Sequence, residues 1–241
     1  MFSGTRFTVV IAVVSLLVNG NNARPWRHRF LFHILQMVRT SMHANMLQSE
    51  RLSFQEASTD PNFSQIINWI ELFLCAPHPA LGREGDVCPF ARAAMTKNAI
   101  EFFRNTSTDV AGLEEDIKMH LVDFSAGDQS NIYRSRMILP TCLEDADRAV
   151  EIVQRQLKPL FVESHLMLGQ FFQDCNEPGL WNKDFRPLQT PVPLLAIRSM
   201  VPTDVAFLHH DASLLKSYLD EFGSRGVTAL RQFAMAQEAH K

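Results

Sequence analysis

The run Leu143-Glu144-Asp145-Ala146-Asp147-Arg148-Ala149-Val150-Glu151-Ile152-Val153-Gln154-Arg155-Gln156-Leu157-Lys158-Pro159-Leu160-Phe161-Val162-Glu163-Ser164-His165-Leu166-Met167-Leu168-Gly169-Gln170-Phe171-Phe172 changes its hydrophobic period part-way. Up to Glu163 the apolar residues Val150, Val153, Leu157 and Leu160 fall on one helical face, with acids at the start, where the helix dipole favours them. From Leu166 to Phe172 the residues are apolar in succession, the pattern of a strand covered on both faces. Pro193 to Met200 reads the same way. These two strands are predicted to be neighbours at the centre of a sheet.

Working outward, Ala99 to Arg104 and Ile132 to Leu139 read as further strands, and Asp109 to Phe124 as a helix. Asn62 to Leu74 is a helix with Ile66, Ile67, Ile70, Phe73 and Leu74 as its buried stripe. Thr203 to Phe222 and Val227 to Ala239 are helices separated by Gly223-Ser224-Arg225-Gly226. The segment Asp174 to Pro191, rich in Pro and Asn, links the two apolar strands. Strands and helices alternate without a strict βαβ rhythm, and no repeat is visible. The class is therefore α+β, helices packed on a small mixed sheet in a single domain over residues 62–241.

The residues before this domain divide in two. Arg6, the apolar run Phe7 to Val18 and the polar stretch after it have the parts of a secretory signal peptide over residues 1–20. The alternative is a buried apolar segment, since a membrane span needs about 20 apolar residues. Residues 21–61 form an amphipathic helical extension: from Trp26 to about Ser53, Phe30, Ile34, Met37, Val38, Met42 and Met46 recur at helical intervals. A signal peptide would send the chain to the secretory pathway or out of the cell; without one, it is cytoplasmic. Membrane contact is expected only through an uncleaved N-terminal segment.

Across 241 residues the apolar content is 46%, the charged content 20% and the formal net charge −3. Disorder is thereby excluded as a description of the whole chain, and no basic face marks a nucleic-acid partner. Eighteen Phe against two Tyr and three Trp indicate a dry core or a Phe-lined pocket for a flat apolar ligand. No G-x-G-x-x-G, Walker loop, G-x-S-x-G or H-E-x-x-H occurs. Cys75, Cys88, Cys142 and Cys175 lack zinc-site spacing, and in an exported chain they allow two disulfides. Asn62-Phe63-Ser64 and Asn105-Thr106-Ser107 fit the glycosylation pattern.

The chemistry-bearing stretch is Cys75-Ala76-Pro77-His78-Pro79-Ala80-Leu81-Gly82-Arg83-Glu84-Gly85-Asp86-Val87-Cys88-Pro89-Phe90. Prolines and glycines fix its path. Cys88 precedes a proline suited to a first helical turn, an N-cap region whose partial positive charge favours a thiolate. Such a sulfur serves as nucleophile, redox thiol or heme ligand, or else is structural, buried or bonded to Cys75. His78, stiffened between prolines, can ligate a metal, shuttle a proton or cap the preceding helix. Arg83 is presented for a carboxylate or phosphate. His165 lies at the entry to the strand Leu166 to Phe172, and Gln170 lies within it. Arg198 ends the other apolar strand and is expected to pair with Asp204.

Pro77-His78-Pro79-x-Leu81-Gly82-Arg83-x-Gly85-x-Val87-Cys88-Pro89-Phe90, then Leu168-Gly169-Gln170-Phe171, then Pro191 to Leu208, resemble a poorly characterised family of bacterial and fungal proteins, a domain of unknown function. That resemblance spans about Asn62 to Phe222. The stretch Cys88 to Ala94 is also similar to a motif of the YqcI/YcgG family, which includes heme-dependent N-hydroxylases. This second likeness implies a heme-dependent, oxygenase-like enzyme of specialised metabolism acting on a small molecule. Its catalytic candidates are Cys88, His78 and Arg83, and its cofactor candidates His78, Cys88, His165, Gln170 and Arg198, with no metal ligand set assignable. Two other readings stand beside it: a noncatalytic binding module with a disulfide- or proline-stiffened loop, and a thiol enzyme using Cys88.

Overall fold

The computed structural model of the chain describes residues 48–128 and 130–239. The chain divides into two units, Met1–Met46 and Leu47–Lys241. The expected signal segment and all but the end of the amphipathic extension lie outside the described residues.

The described unit begins with strand β1, Ser49–Leu52, and helix α1, Phe54–Thr59. Ser53 starts α1 through a capping box with Glu56. Asp60 caps helix α2, Pro61–Trp69, by accepting from the amides of Asn62 and Phe63. Then follow α3 (Ala91–Thr96), β2 (Ile100–Asn105), α4 (Val110–Ala126), β3 (Ser135–Pro140) and α5 (Ala146–Glu163). The chain finishes with β4 (Leu166–Phe171), β5 (Leu194–Ser199), α6 (Val205–Leu208) and α7 (Ala212–Ala239). The last helix bends at Gly223, whose φ of 51° suits a residue without a side chain.

The strands form one sheet in the order β1-β2-β3-β5-β4. The β2–β3 pair is parallel and the β1–β2, β3–β5 and β4–β5 pairs are antiparallel, so the sheet is mixed. On one face Phe103, Ile138, Leu195 and Ile197 meet Leu113 and Ile117 of α4 and Val150, Val153, Leu157 and Phe161 of α5. On the other, Phe102, Met137, Leu139 and Leu194 meet Phe63, Ile66, Ile67 and Ile70 of the α2 region. Burying each such side chain is worth about 1.5–3 kcal/mol. A third cluster gathers Val205, Leu208, Leu214, Tyr218 and Phe222 against Val162. The α+β class, helices on a small mixed sheet, is what the structure has.

Three expectations need correction. Leu166–Phe171 neighbours Leu194–Ser199 as expected, but it is an edge strand, while β5 is internal. Its apolar run reflects cover on both faces; hydropathy does not report whether the backbone edge is paired. Ser49–Leu52, taken as the end of the amphipathic helix, is a strand paired with β2, and with α1 it belongs to the sheet unit before residue 62. The helix expected from Thr203 is broken into a 3-10 turn at Pro202–Asp204, α6 and the start of α7.

Ile138 is fully buried in β3. Ile138→Ala is expected to lower the unfolding free energy by about 2–5 kcal/mol, measured in urea. Amides of β3 and β5 are expected to exchange more slowly with deuterium than those on the outer side of β4; equal protection of β4 would contradict its edge position.

Candidate functional site

The loop that follows α2 is built on a widened turn. At Ile70–Leu74 the helix takes π geometry, with the Cys75 amide donating to the Ile70 carbonyl at 2.9 Å. Such insertions recur at functional sites because they re-aim the residues that follow. Two backbone bonds then close the loop, Cys88 N–H to Leu74 O and Val87 N–H to Ala76 O, both 2.9 Å. Pro77 and Asp86 pair between them and the loop tip.

Two arginines finish the closure. Arg83 turns inward and donates to the carbonyls of Glu84, Asp86 and Val87 at 2.9, 2.9 and 3.1 Å. Arg92, from α3, forks onto the Asp86 carboxylate at 2.8 and 2.9 Å and donates to the Cys75 carbonyl. Gly82 has φ +74°, and a Cβ there would stand 2.7 Å from the Trp181 Cβ, so only glycine lets the loop sit on the linker. Asn182 secures that contact by donating to the Ala80 carbonyl at 3.0 Å.

The end of the loop brings Phe90 to Arg198. Arg198 lies in β5 on the α2-side face, 5.5 Å from the Phe90 ring centroid. Its guanidinium forks onto Asp204 at 2.8 and 2.5 Å and also reaches the Ser199 carbonyl at 3.0 Å. Asp204 is 2% exposed and takes a further bond from the Val201 amide at 2.8 Å, so the expected pair is present. Burial pulls the Arg198 pKa down, but Asp204 and then Cys88 outweigh it and hold it above its ordinary value. Cys88 is half-buried, while Cys75 is buried, and burial pushes the Cys75 thiol pKa up. All four cysteines are free thiols.

Cys88 is not the helix N-cap. α3 begins at Ala91 with Phe90 in the cap position, because Pro89 is taken up in a turn that ties Ala91 N–H to the Cys88 carbonyl at 3.3 Å. The dipole of this short helix is therefore not what singles Cys88 out.

The other candidates sit elsewhere. His78 caps the short 3-10 turn Pro79–Leu81, its Nδ1 accepting from Ala80 N–H at 3.2 Å, and its ring stacks on Phe185 at 4.6 Å. His165 occupies a left-handed turn with φ 60°, about half exposed, 3.3 Å from Glu221. Gln170 pairs with Leu195 in register and so faces α5, on the opposite side of the sheet from the loop; its Oε1 is buried without a partner. A heme ligand needs a clear approach for a flat macrocycle on its metal side. The five cofactor candidates do not meet around one such space, and among the described residues no group of three His, Cys, Asp or Glu could hold a metal ion. A cleft of about 660 Å³ lined by Arg51, Phe54, Met95 and Glu101 includes none of them.

Two features were missed from the sequence. Trp69 packs edge-on against Phe171 at 5.5 Å, its buried Nε1 unpartnered, beside Phe73. On the far face, Asp116 accepts from Gln48 N–H and Asn105 Nδ2, both at 2.7 Å, and from Ser49 Oγ. His120, one turn on, receives Arg136 Nη1 on its Nδ1 at 2.9 Å, which leaves the proton of a neutral ring on Nε2. That Nε2 stands 3.5 Å from Asp116. Asp116 and His120 at i and i+4, within a stripe of Leu113, Ile117 and Leu121, were the signal available. Asn105, engaged here and fully buried, is closed to glycosylation in the folded domain, whereas Asn62 is exposed.

The family model of a domain of unknown function, DUF6875, matches residues 63–233. The chain belongs to this family. The match takes in the loop, β5 and the Arg198–Asp204 pair. No curated protein and no solved structure matches the chain. The likeness of Cys88 to Ala94 to YqcI/YcgG finds no counterpart in these comparisons.

Burial, followed by Arg136 and against the pull of Asp116, lowers the His120 pKa. An imidazole lowered on folding binds fewer protons in the native state than in the unfolded chain. Stability is therefore expected to be level above the ordinary value near 6.5 and to fall as pH drops below it. Urea midpoints between pH 7.5 and 5 measure this, and His120→Asn, which keeps an acceptor for Arg136, is expected to flatten the curve.

Proposed function

We propose that this domain is an enzyme acting on a small molecule through the thiol of Cys88, with the Arg198–Asp204 pair on the neighbouring strand as a polar group beside the loop. The observation that carries this reading is that the closed loop holds half-buried Cys88 and sets Phe90 against Arg198. A loop closed by backbone and arginine hydrogen bonds presents the sulfur, and a buried carboxylate fixes the Arg198 guanidinium. Thiolates, not thiols, are nucleophiles, and a positioned cation is a recognised means of favouring them. The Cys88 sulfur would form a bond to an electrophilic carbon of the substrate, with the displaced electron pair moving onto the substrate's heteroatom. The Phe73, Phe171 and Phe185 side chains near the loop base give the surroundings an apolar character.

Oxygenase-like, heme-dependent chemistry rests on the short resemblance at Cys88 to Ala94, and no step is derived through heme. Protein produced with heme precursor is expected to lack a Soret band.

Cys142 is an exposed free thiol and provides an internal reference. Iodoacetamide is expected to modify Cys88 faster than Cys142 at the same pH. Mass-spectrometric mapping of both sites across pH 5.5–9 measures it. Labelling of Cys88 that merely tracks Cys142 with pH would remove the thiol reading.

A further inference from the structure

Cys75 and Cys88 stand at the two ends of the loop, and the loop's own hydrogen bonds bring those ends together. Leu74 and Ala76, the residues on either side of Cys75, supply the carbonyls that bind the amides of Cys88 and Val87. Pro77 and Asp86 continue the antiparallel pairing. The nearness of the pair shows in the electrostatic action of Cys88 on the Cys75 thiol, and a disulfide needs Cα atoms about 4.4–6.8 Å apart. Both side chains pack in the same apolar cluster, Cys75 within it and Cys88 against it. Arg92 holds the base shut by binding the Cys75 carbonyl and the Asp86 carboxylate together.

From this pairing we infer that Cys75 and Cys88 form a redox switch in which a disulfide between them withdraws the Cys88 thiol and staples the loop. The inference rests on the reading of Cys88 as the reactive thiol and adds its regulation. The oxidant is a small-molecule disulfide. The Cys88 thiolate, having given its proton to solvent, attacks one sulfur of that disulfide, forms a mixed disulfide and releases the first thiol. The Cys75 sulfur then loses its proton to solvent and attacks the Cys88 sulfur, releasing the second thiol. In sum two cysteine thiols are oxidised and one external disulfide is reduced to two thiols. The order follows from exposure: Cys88 is half-buried and reachable from solvent, whereas Cys75 is buried and meets only the adduct formed beside it. Because the backbone is already closed, the staple needs no rearrangement of the loop, and the oxidised form keeps the fold.

The test is incubation of the reduced full chain with oxidised glutathione, an acid quench, and peptide mapping by mass spectrometry. The expected product has lost two hydrogens and contains a peptide linking Cys75 to Cys88, with Cys142 carrying glutathione alone. Iodoacetamide labelling at Cys88 is lost in this product and returns on reduction. In Cys75→Ser the cross-link is absent and the glutathione adduct persists on Cys88. A persistent glutathione adduct on Cys88 in the unmutated chain, or a cross-link made through Cys142 or Cys175 instead, overturns the inference. These outcomes are separate from the labelling rates of the reduced chain. Fast Cys88 labelling without the Cys75 cross-link removes the switch and leaves the thiol reading. A Cys75–Cys88 cross-link with slow Cys88 labelling removes the thiol reading and leaves a redox-sensitive staple.

Discussion

The internal strands of this sheet are covered on both faces, so every charged side chain they carry must find its counter-charge inside the protein. Arg136 on β3 is 2% exposed and is met by Glu101 at 2.8 Å and Asp123 at 2.9 Å, with the Phe103 ring 4.4 Å below it. Arg104 on β2 is met by Asp60 at 2.6 Å and Glu50 at 2.8 Å, and Arg198 on β5 by Asp204. Removing one member of such a pair strands the other in a medium that solvates it poorly, a loss larger than the pair's net contribution. The requirement fixes more than charge. Asp60 is also the cap of α2 and Asp204 orders the turn before α6, so satisfying the strands sets where neighbouring helices begin.

The loop obeys the same rule with backbone groups in place of charges. Carbonyls of Cys75, Glu84, Asp86 and Val87 turn away from any strand, and Arg83 and Arg92 supply their donors. An arginine whose donors point at carbonyls of its own loop is less free to bind a substrate anion. Arg83 is thus a builder of the loop, and Arg198 reaches the loop from β5 at Phe90. The polar cluster of Asp116, His120 and Arg136 lies on the other face of the sheet, fully enclosed. It ties β1 to α4 rather than opening to solvent.

Local pattern alone determined most of the element types, though Ser49–Leu52 became a strand only through its pairing with β2. The change of period at Ser164-His165 is legible because helices and covered strands bury their side chains at different intervals. The same reasoning marked the loop, since proline and glycine restrict the backbone whatever surrounds them, and it foresaw the Arg198–Asp204 pair from their nearness in sequence. The sequence resemblance likewise pointed to the family of unknown function within which the loop falls. Tertiary structure decided what depends on long-range pairing. Strand order made Leu166–Phe171 an edge, and strand parity sent Gln170 to the face away from the loop. Contacts across more than a hundred residues set Phe90 against Arg198, and the folding of the loop set Cys88 beside Cys75. Periodicity reports which residues are buried, but the partner against which each is buried is chosen only when distant segments pack together.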